Sequence, residues 1–194
     1  MDYVHELSAK QFLEMVQEMT HEFEQFLKTL ELGNREALEA LIDQILEAVM
    51  LKVQQMLGAR HASMFIVDAE RNMLYSRIAK TVDGQRRLVE VPLGNELAGH
   101  VARSGQGINL FELAASPFFE TVFGAEEDVR ENRLLCMPIL DRKNSVLAVL
   151  QMVKWPEDPE FTEDDERNFG EFVEPLGMML ESSLKLANQQ RVHA

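Results

Sequence analysis

The stretch Pro92 to Leu110, PLGNELAGHVARSGQGINL, holds four glycines, His100 and Arg103 around a short apolar pattern. Residues of these types in one loop suggest three chemistries: a glycine-rich cradle for phosphate, a histidine acting as base or ligand, or a short helix whose free N-terminal amides attract an anion. The cradle by a known motif fails, because no Gly-Lys-Ser/Thr follows the glycines and no G-x-G-x-x-G follows a strand. A catalytic histidine needs an orienting partner or a ligand spacing, and Asp68, Asp83 and the acids after Gly124 stand at no spacing that specifies a triad or a metal site. His5, His21, His61 and His193 form no H-x-x-x-H cluster either. The third option survives on physics alone. A helix starting near Asn95 exposes backbone N–H groups around Glu96, Leu97 and Ala98 at its positive dipole end, and Gly105 suits the left-handed residue that closes it.

Cys136 is the single cysteine, which excludes an internal disulfide and a multi-cysteine zinc site and fits a reducing compartment. Its flanks, RLLCMPIL, read as buried strand. The charge run GAEEDVRENR reads first as a solvated surface and second as a lid, with Phe118, Phe119, Val122 and Phe123 before it as pocket lining or anchors.

These groups must be positioned by one domain. The chain has 194 residues, 46% hydrophobic, enough for one sizeable core. Its formal charge of -14 leaves no broad surface for nucleic acid or anionic membrane, so neither is an expected partner. MDYVHELSAK lacks the basic start and apolar core of a secretory signal, and no apolar run reaches the ~20 residues of a membrane span. A cytoplasmic protein with no membrane insertion is the expectation.

Phe12, Val16, Met19, Phe23, Phe26 and Leu30 recur at spacings of four and three, the seam of a helix that packs lengthwise on another. After a break at Gly33, with Asn34 as cap, Leu38 to Met56 draw a second helix ending near Gly58. The period then changes. SMFIVD and LYSRIAK, around the turn AERN, predict a β-hairpin, and RRLVEVP a third strand halted by Pro92. RLLCMPIL and SVLAVLQMV flank the turn DRKN and are nearly continuous apolar runs, the mark of central strands covered on both faces. WPEDPEF is a linker, and Thr162 caps a last helix with Asp165 three residues on. Phe169, Val173, Leu176, Leu180 and Ala187 give that helix a second seam, with Pro175 expected to bend it. Helices around a run of antiparallel strands predict an α+β fold. The terminal seams predict a homodimer.

In order and spacing, SMFIVD, NMLYSRIAK, the opening stretch, SPFF, NRLLCMPIL and VLAVLQMV resemble a GAF domain, of the cyclic-nucleotide type found in phosphodiesterases and cyanobacterial adenylyl cyclases. The resemblance runs from about Ala62 to Glu166. It implies a central antiparallel sheet of about six strands between helices, long terminal helices, a ligand pocket under short helices, dimerisation through the terminal helices, and a regulatory rather than enzymatic role. The expected organisation is a packing and dimerisation helix at 1–33, the domain at 34–170 and a signalling helix at 171–194.

Carried over position by position, the resemblance places Ser63 at the start of the first strand and Leu97 and Ala98 at the phosphate-facing turn, with Phe118 of SPFF as the candidate for lining the pocket. Lys80 stands where cyclic-GMP binders place a guanine-reading acid, which puts cyclic AMP ahead of cyclic GMP as ligand. Glu120, Gly124, Glu127 and Glu131 stand where family members use tyrosine, aspartate and threonines, and Gln151 replaces a glutamate beneath the base. Three carboxylates near a cyclic phosphate would oppose it by about a few kcal/mol if partly buried. Of the family's Asn-Lys…Phe-x-x-x-Asp-Glu signature, Phe161, Asp165 and Glu166 keep the second half, while Lys154 and Trp155 replace the Asn-Lys pair. A slip of one residue would let Lys154 reach Asp165. The resemblance thus implies a ligand sensor, and the substitutions offer an alternative, a dimerisation scaffold without ligand. Methionine sulfoxide reduction, known for some GAF proteins, needs a resolving cysteine that a single strand cysteine lacks.

Overall fold

In the computed structural model, residues 8–29, 35–79, 90–93, 97–110 and 133–191 are described. Helix α1 spans Ala9–Thr29 and opens on a reciprocal cap: Gln11 N–H donates to Ser8 Oγ, and Ser8 N–H to Gln11 Oε1. Helix α2, Arg35–Leu57, stops where Gly58 turns to φ +63°, and Gln54 Nε2 donates to the carbonyls of Ala59 and Arg60.

Strands β1 (His61–Asp68) and β2 (Met73–Ala79) form the expected hairpin, with Asn72 left-handed at φ 55° in its turn. β3 is Glu90–Pro92, paired to Met73–Tyr75. It is the C-terminal end of the predicted third strand, the rest of which lies outside the described residues. Helix α3, Leu97–Ser104, leads into β4, Ile108–Leu110, a strand that sequence periodicity misses because three residues give no alternation to read. β5 (Arg133–Leu140) and β6 (Val146–Lys154) flank a tight turn in which Asp141 Oδ1 accepts the N–H groups of Lys143 and Ser145 and Asn144 takes φ 62°. Helix α4, Glu163–Arg191, runs through Pro175 as one helix and carries core residues on both sides of residue 170.

The sheet order is β3-β2-β1-β6-β5-β4, antiparallel throughout. With terminal helices on one face and a short helix on the other, this is an α+β fold, as the resemblance implies. On the first face Met64, Ile66, Leu135, Ile139, Leu150 and Met152 meet the buried sides of α1, α2 and α4. On the second, Leu74, Leu134, Cys136 and Val149 meet α3. Burial on both faces is the reason β5 and β6 read as continuous apolar runs.

Parts of both helix seams are used within the chain. Phe12 and Val16 are each 1% exposed, and the Phe12 ring lies 5.7 Å from that of Phe172 on α4. Phe169, Val173, Leu176 and Leu180 are likewise in the core. Burying a large apolar side chain contributes about 1.5–3 kcal/mol, which explains why the seams close on their own sheet first. Met19, Leu51 and Met178 stay exposed on the outer faces of the three helices.

Candidate functional site

The candidate ligand face is built by α3 on the sheet. Leu97, Ala98, Val101 and Ala102 are buried against Leu134, Cys136 and Val149, so the side chains of the predicted phosphate-facing turn pack downwards and only its backbone is left to meet a ligand. Two devices hold the helix there. Arg103 Nη2 donates to the Leu93 carbonyl at 2.9 Å, and Gly105, at φ +67°, donates its N–H to Val101 O at 2.9 Å. Gly105 thus occupies the closing position its sequence suggested, and a side chain there would be strained by conformation rather than by crowding.

Across the strands, Ser63 is registered against Gln151, and Gln151 against Cys136. Because Met64, Leu150, Met152 and Leu135 face the helical layer, this row of three points to the α3 side. Ser63 and Gln151 are half-buried and Cys136 is fully buried. Burial pushes the Cys136 thiol far above its ordinary value, so it stays protonated and is no nucleophile. The row offers a hydroxyl and a carboxamide, groups that donate and accept hydrogen bonds without carrying charge. That chemistry fits the polar edge of a heterocycle. His100 is half-buried on α3 and has an interaction within the fold, and no group of three His, Cys, Asp or Glu among the described residues could hold a metal ion. Lys80, Phe118, Glu120, Glu127 and Glu131 lie outside the described residues.

The Phe161/Asp165/Glu166 motif and its lysine form a second cluster, at the start of α4. Lys154 Nζ is 3.9 Å from Asp165 Oδ2, donates to Glu160 O at 3.3 Å and sits 4.2 Å from the centre of the Phe161 ring. Burial holds the Lys154 ammonium below its ordinary pKa, with Asp165 opposing that shift. Asp165 also caps the helix: its Oδ2 accepts Thr162 N–H, and its own N–H donates to Thr162 Oγ1.

Residues that no sequence pattern singled out surround this cluster. Arg60 makes a forked pair with Asp158, Nε to Oδ2 at 2.9 Å and Nη2 to Oδ1 at 2.6 Å, while stacking 5.2 Å from the Trp155 ring. Arg133 Nη1 donates to the carbonyls of Trp155, Pro156 and Asp158. The only sequence signal was an arginine before the first strand and an aspartate in a proline-bearing linker, which specify no contact. The Arg60 hydrogen bonds, then the Trp155 N–H, hold the Asp158 carboxyl down at about 2. A depressed carboxylate stabilises the fold fully above its unfolded value near 3.8 and ceases to do so as pH falls through about 2. Asp158→Asn is therefore expected to lower the urea midpoint at pH 5 to 7 and to leave a shallower fall between pH 4 and 2. Parallel acid limbs for variant and wild type would contradict it.

A separate cavity of about 440 Å³ lies between the β5–β6 turn and α4, lined by Pro138, Leu140, Arg142, Val173, Glu174 and Met178 among others. Ser63, Leu97, Ala98 and Gln151 do not line it. Among the described residues no helix is long and apolar enough to cross a membrane.

A family profile described as GAF domain matches residues 39–181. Over 149 residues the chain is 30% identical to a probable 3',5'-cyclic phosphodiesterase, pde-5, of Caenorhabditis elegans, a match spanning 72% of this chain and 20% of that protein. A dual 3',5'-cyclic-AMP and -GMP phosphodiesterase 11 of Drosophila melanogaster is 28% identical over 149 residues, 70% of this chain and 10% of its own length. The chain thus corresponds to a fifth or less of these relatives. In fold it is similar to the GAF domain of an Acinetobacter phosphoenolpyruvate-protein phosphotransferase, with a TM-score of 0.63 at 15% identity, covering 90% of this chain and 98% of the other. The profile covers well over half of the chain, its strands and helices follow the same architecture, and the chain belongs to the GAF-domain family.

Proposed function

We propose that the chain is a regulatory, non-catalytic sensor module that binds a small ligand under α3 and relays occupancy through its terminal helices in a cytoplasmic homodimer. The ligand is a cyclic nucleotide, cyclic AMP ahead of cyclic GMP, because Lys80 replaces the acid that the resemblance assigns to guanine. The observation that carries this reading is the registered Ser63–Gln151 pair on the face covered by α3. A hydroxyl and a carboxamide side by side on that face support recognition of the polar edge of a base. Similarity to two cyclic-nucleotide phosphodiesterases supports the ligand class. The division into residues 1–33, 34–170 and 171–194 supplies the relay, and exposed Met19 and Met178 give α1 and α4 apolar contacts to offer a second copy.

Relay requires that ligand favour one of two helix arrangements, since equal affinity for both shifts nothing. Calorimetric titration of the purified protein with cyclic AMP and cyclic GMP is expected to give saturable heat with the first and a weaker isotherm with the second. Ser63→Ala and Gln151→Ala would each weaken binding by roughly fivefold or more, the value of one hydrogen bond. No heat and no thermal shift at about 1 mM of either nucleotide would remove this reading. The scaffold reading would then stand, favoured by Glu120, Glu127 and Glu131, whose charges oppose a phosphate.

A further inference from the structure

The segment from Trp155 to Glu160 joins the central sheet to α4, yet none of its six residues is buried; the core resumes only at Phe161, 6% exposed. Its attachment is mainly polar: Lys154 Nζ holds the Glu160 carbonyl at its far end, and the rest comes from two neighbouring strand starts. Arg60, just before β1, forks onto Asp158 and stacks on Trp155. Arg133, the first residue of β5, gathers the carbonyls of Trp155, Pro156 and Asp158. Inside the segment, Asp158 N–H donates to Trp155 O and Trp155 N–H to Asp158 Oδ2, so Trp155–Asp158 is a closed turn.

The ends of β1, β5 and β6 lie together at this edge of the sheet, with Arg133 registered against Lys154. Three residues on from Arg60 and Arg133, and three back from Lys154, stand Ser63, Cys136 and Gln151, the row on the α3 face. The segment therefore connects that face to the start of α4.

We propose that Trp155–Glu160 is a strap, held by Arg60 and Arg133, that detaches as one unit while the sheet and the buried face of α4 remain folded. Water replaces most of the polar contacts it loses, and the apolar surface it exposes is confined to the Trp155 ring, already 40% exposed, and half-buried Pro156, so detachment is a local opening below the free energy of global unfolding. The two arginines set how firmly the beginning of α4 is registered on the sheet. The regulatory use of the strap rests on the sensor reading above; its opening does not.

Hydrogen exchange of the ligand-free full chain, resolved by peptide, tests it without any nucleotide, so failure of cyclic AMP to bind leaves the result intact. In Arg60→Gln and in Asp158→Asn, the hydrogen-bonded amides of residues 155–166 are expected to exchange roughly 2- to 5-fold faster, the value of a solvent-exposed ion pair. Those of β5, β6 and residues 169–180 keep their wild-type rates. Arg60→Lys, which keeps the charge and loses the fork, should fall between. Arg133→Gln should accelerate the same amides; if it fails to fold, the Arg60 and Asp158 variants carry the test. Unchanged exchange at 155–166, or acceleration spread equally over β5, β6 and α4, overturns the proposal.

Discussion

Gly177→Ala is expected to destabilise the protein by about 2–3 kcal/mol, although the substitution replaces glycine in the middle of a helix. On propensity alone it should gain about 1 kcal/mol. The neighbourhood reverses the sign. A methyl group at Gly177 would overlap the Leu140 carbonyl oxygen, and would stand 3.2 Å from the Leu140 carbonyl carbon and 3.6 Å from Ile139 Cγ2. Those first two atoms are backbone at the end of β5, so no rotamer change relieves the overlap and α4 must lift from the sheet. That lift disturbs Leu176, Met179 and Leu180, each fully buried. Seven residues earlier, Gly170 provides the control, because a methyl group there meets no atom within 4 Å among the described residues. Gly170→Ala should therefore stabilise by about 0.5–1 kcal/mol. Urea unfolding followed by circular dichroism reads both. The expected result is a lower midpoint for one variant and a higher midpoint for the other. A Gly177→Ala midpoint at or above wild type would mean that α4 does not pack so closely on Leu140.

The second large effect is at the Lys154–Asp165 pair. Asp165→Ala removes a cap, worth about 1 kcal/mol, and leaves the ammonium of a 4%-exposed lysine with a carbonyl and a ring but without its carboxylate. A total loss of about 3 kcal/mol is expected. Lys154→Met, which exchanges the charge for an apolar chain of similar length, should stay within about 1 kcal/mol of wild type, because the desolvation of the ammonium is removed together with its attraction. The double variant should then lose only the cap, giving a coupling of about 1–2 kcal/mol between the two positions. Simple additivity would show that the 3.9 Å approach carries no energy.

Alkaline pH gives an independent reading. The folded pKa of Lys154 lies below its unfolded value near 10.5, so between the two the unfolded chain binds more protons and stability rises with pH. Cys136 acts in the opposite sense above about 9, because the native thiol keeps a proton that the unfolded chain releases. The lysine contribution is thus the difference between wild type and Lys154→Met, and it should vanish in the variant.

Much of this molecule is written in local sequence. Ser8 with Gln11, Thr162 with Asp165, Asn72, Asp141 with Asn144, and Gly105 each specify a cap or a turn through contacts within four residues, and the structure contains each of them. The apolar runs of β5 and β6 announced their double burial. β4 did not show, since three residues have no period, and its existence depends on β5 offering an open edge. The helix seams were visible, but their partner was not. A four-and-three spacing states that a face is apolar, and only the assembled chain decides that Phe12 meets Phe172 of the same molecule.

The candidate site divides the same way. Sequence alone determined the residue types available, an uncharged Ser63 and Gln151, a lone Cys136 and a lysine one place from the family position. Tertiary structure decided which of these groups meet. Strand pairing aligns Ser63, Gln151 and Cys136 although they are widely separated in the chain, and it joins Arg60 to Asp158 across 98 positions. Register and ion pairing between distant segments depend on how the whole sheet closes, and no spacing rule within a single strand contains that information.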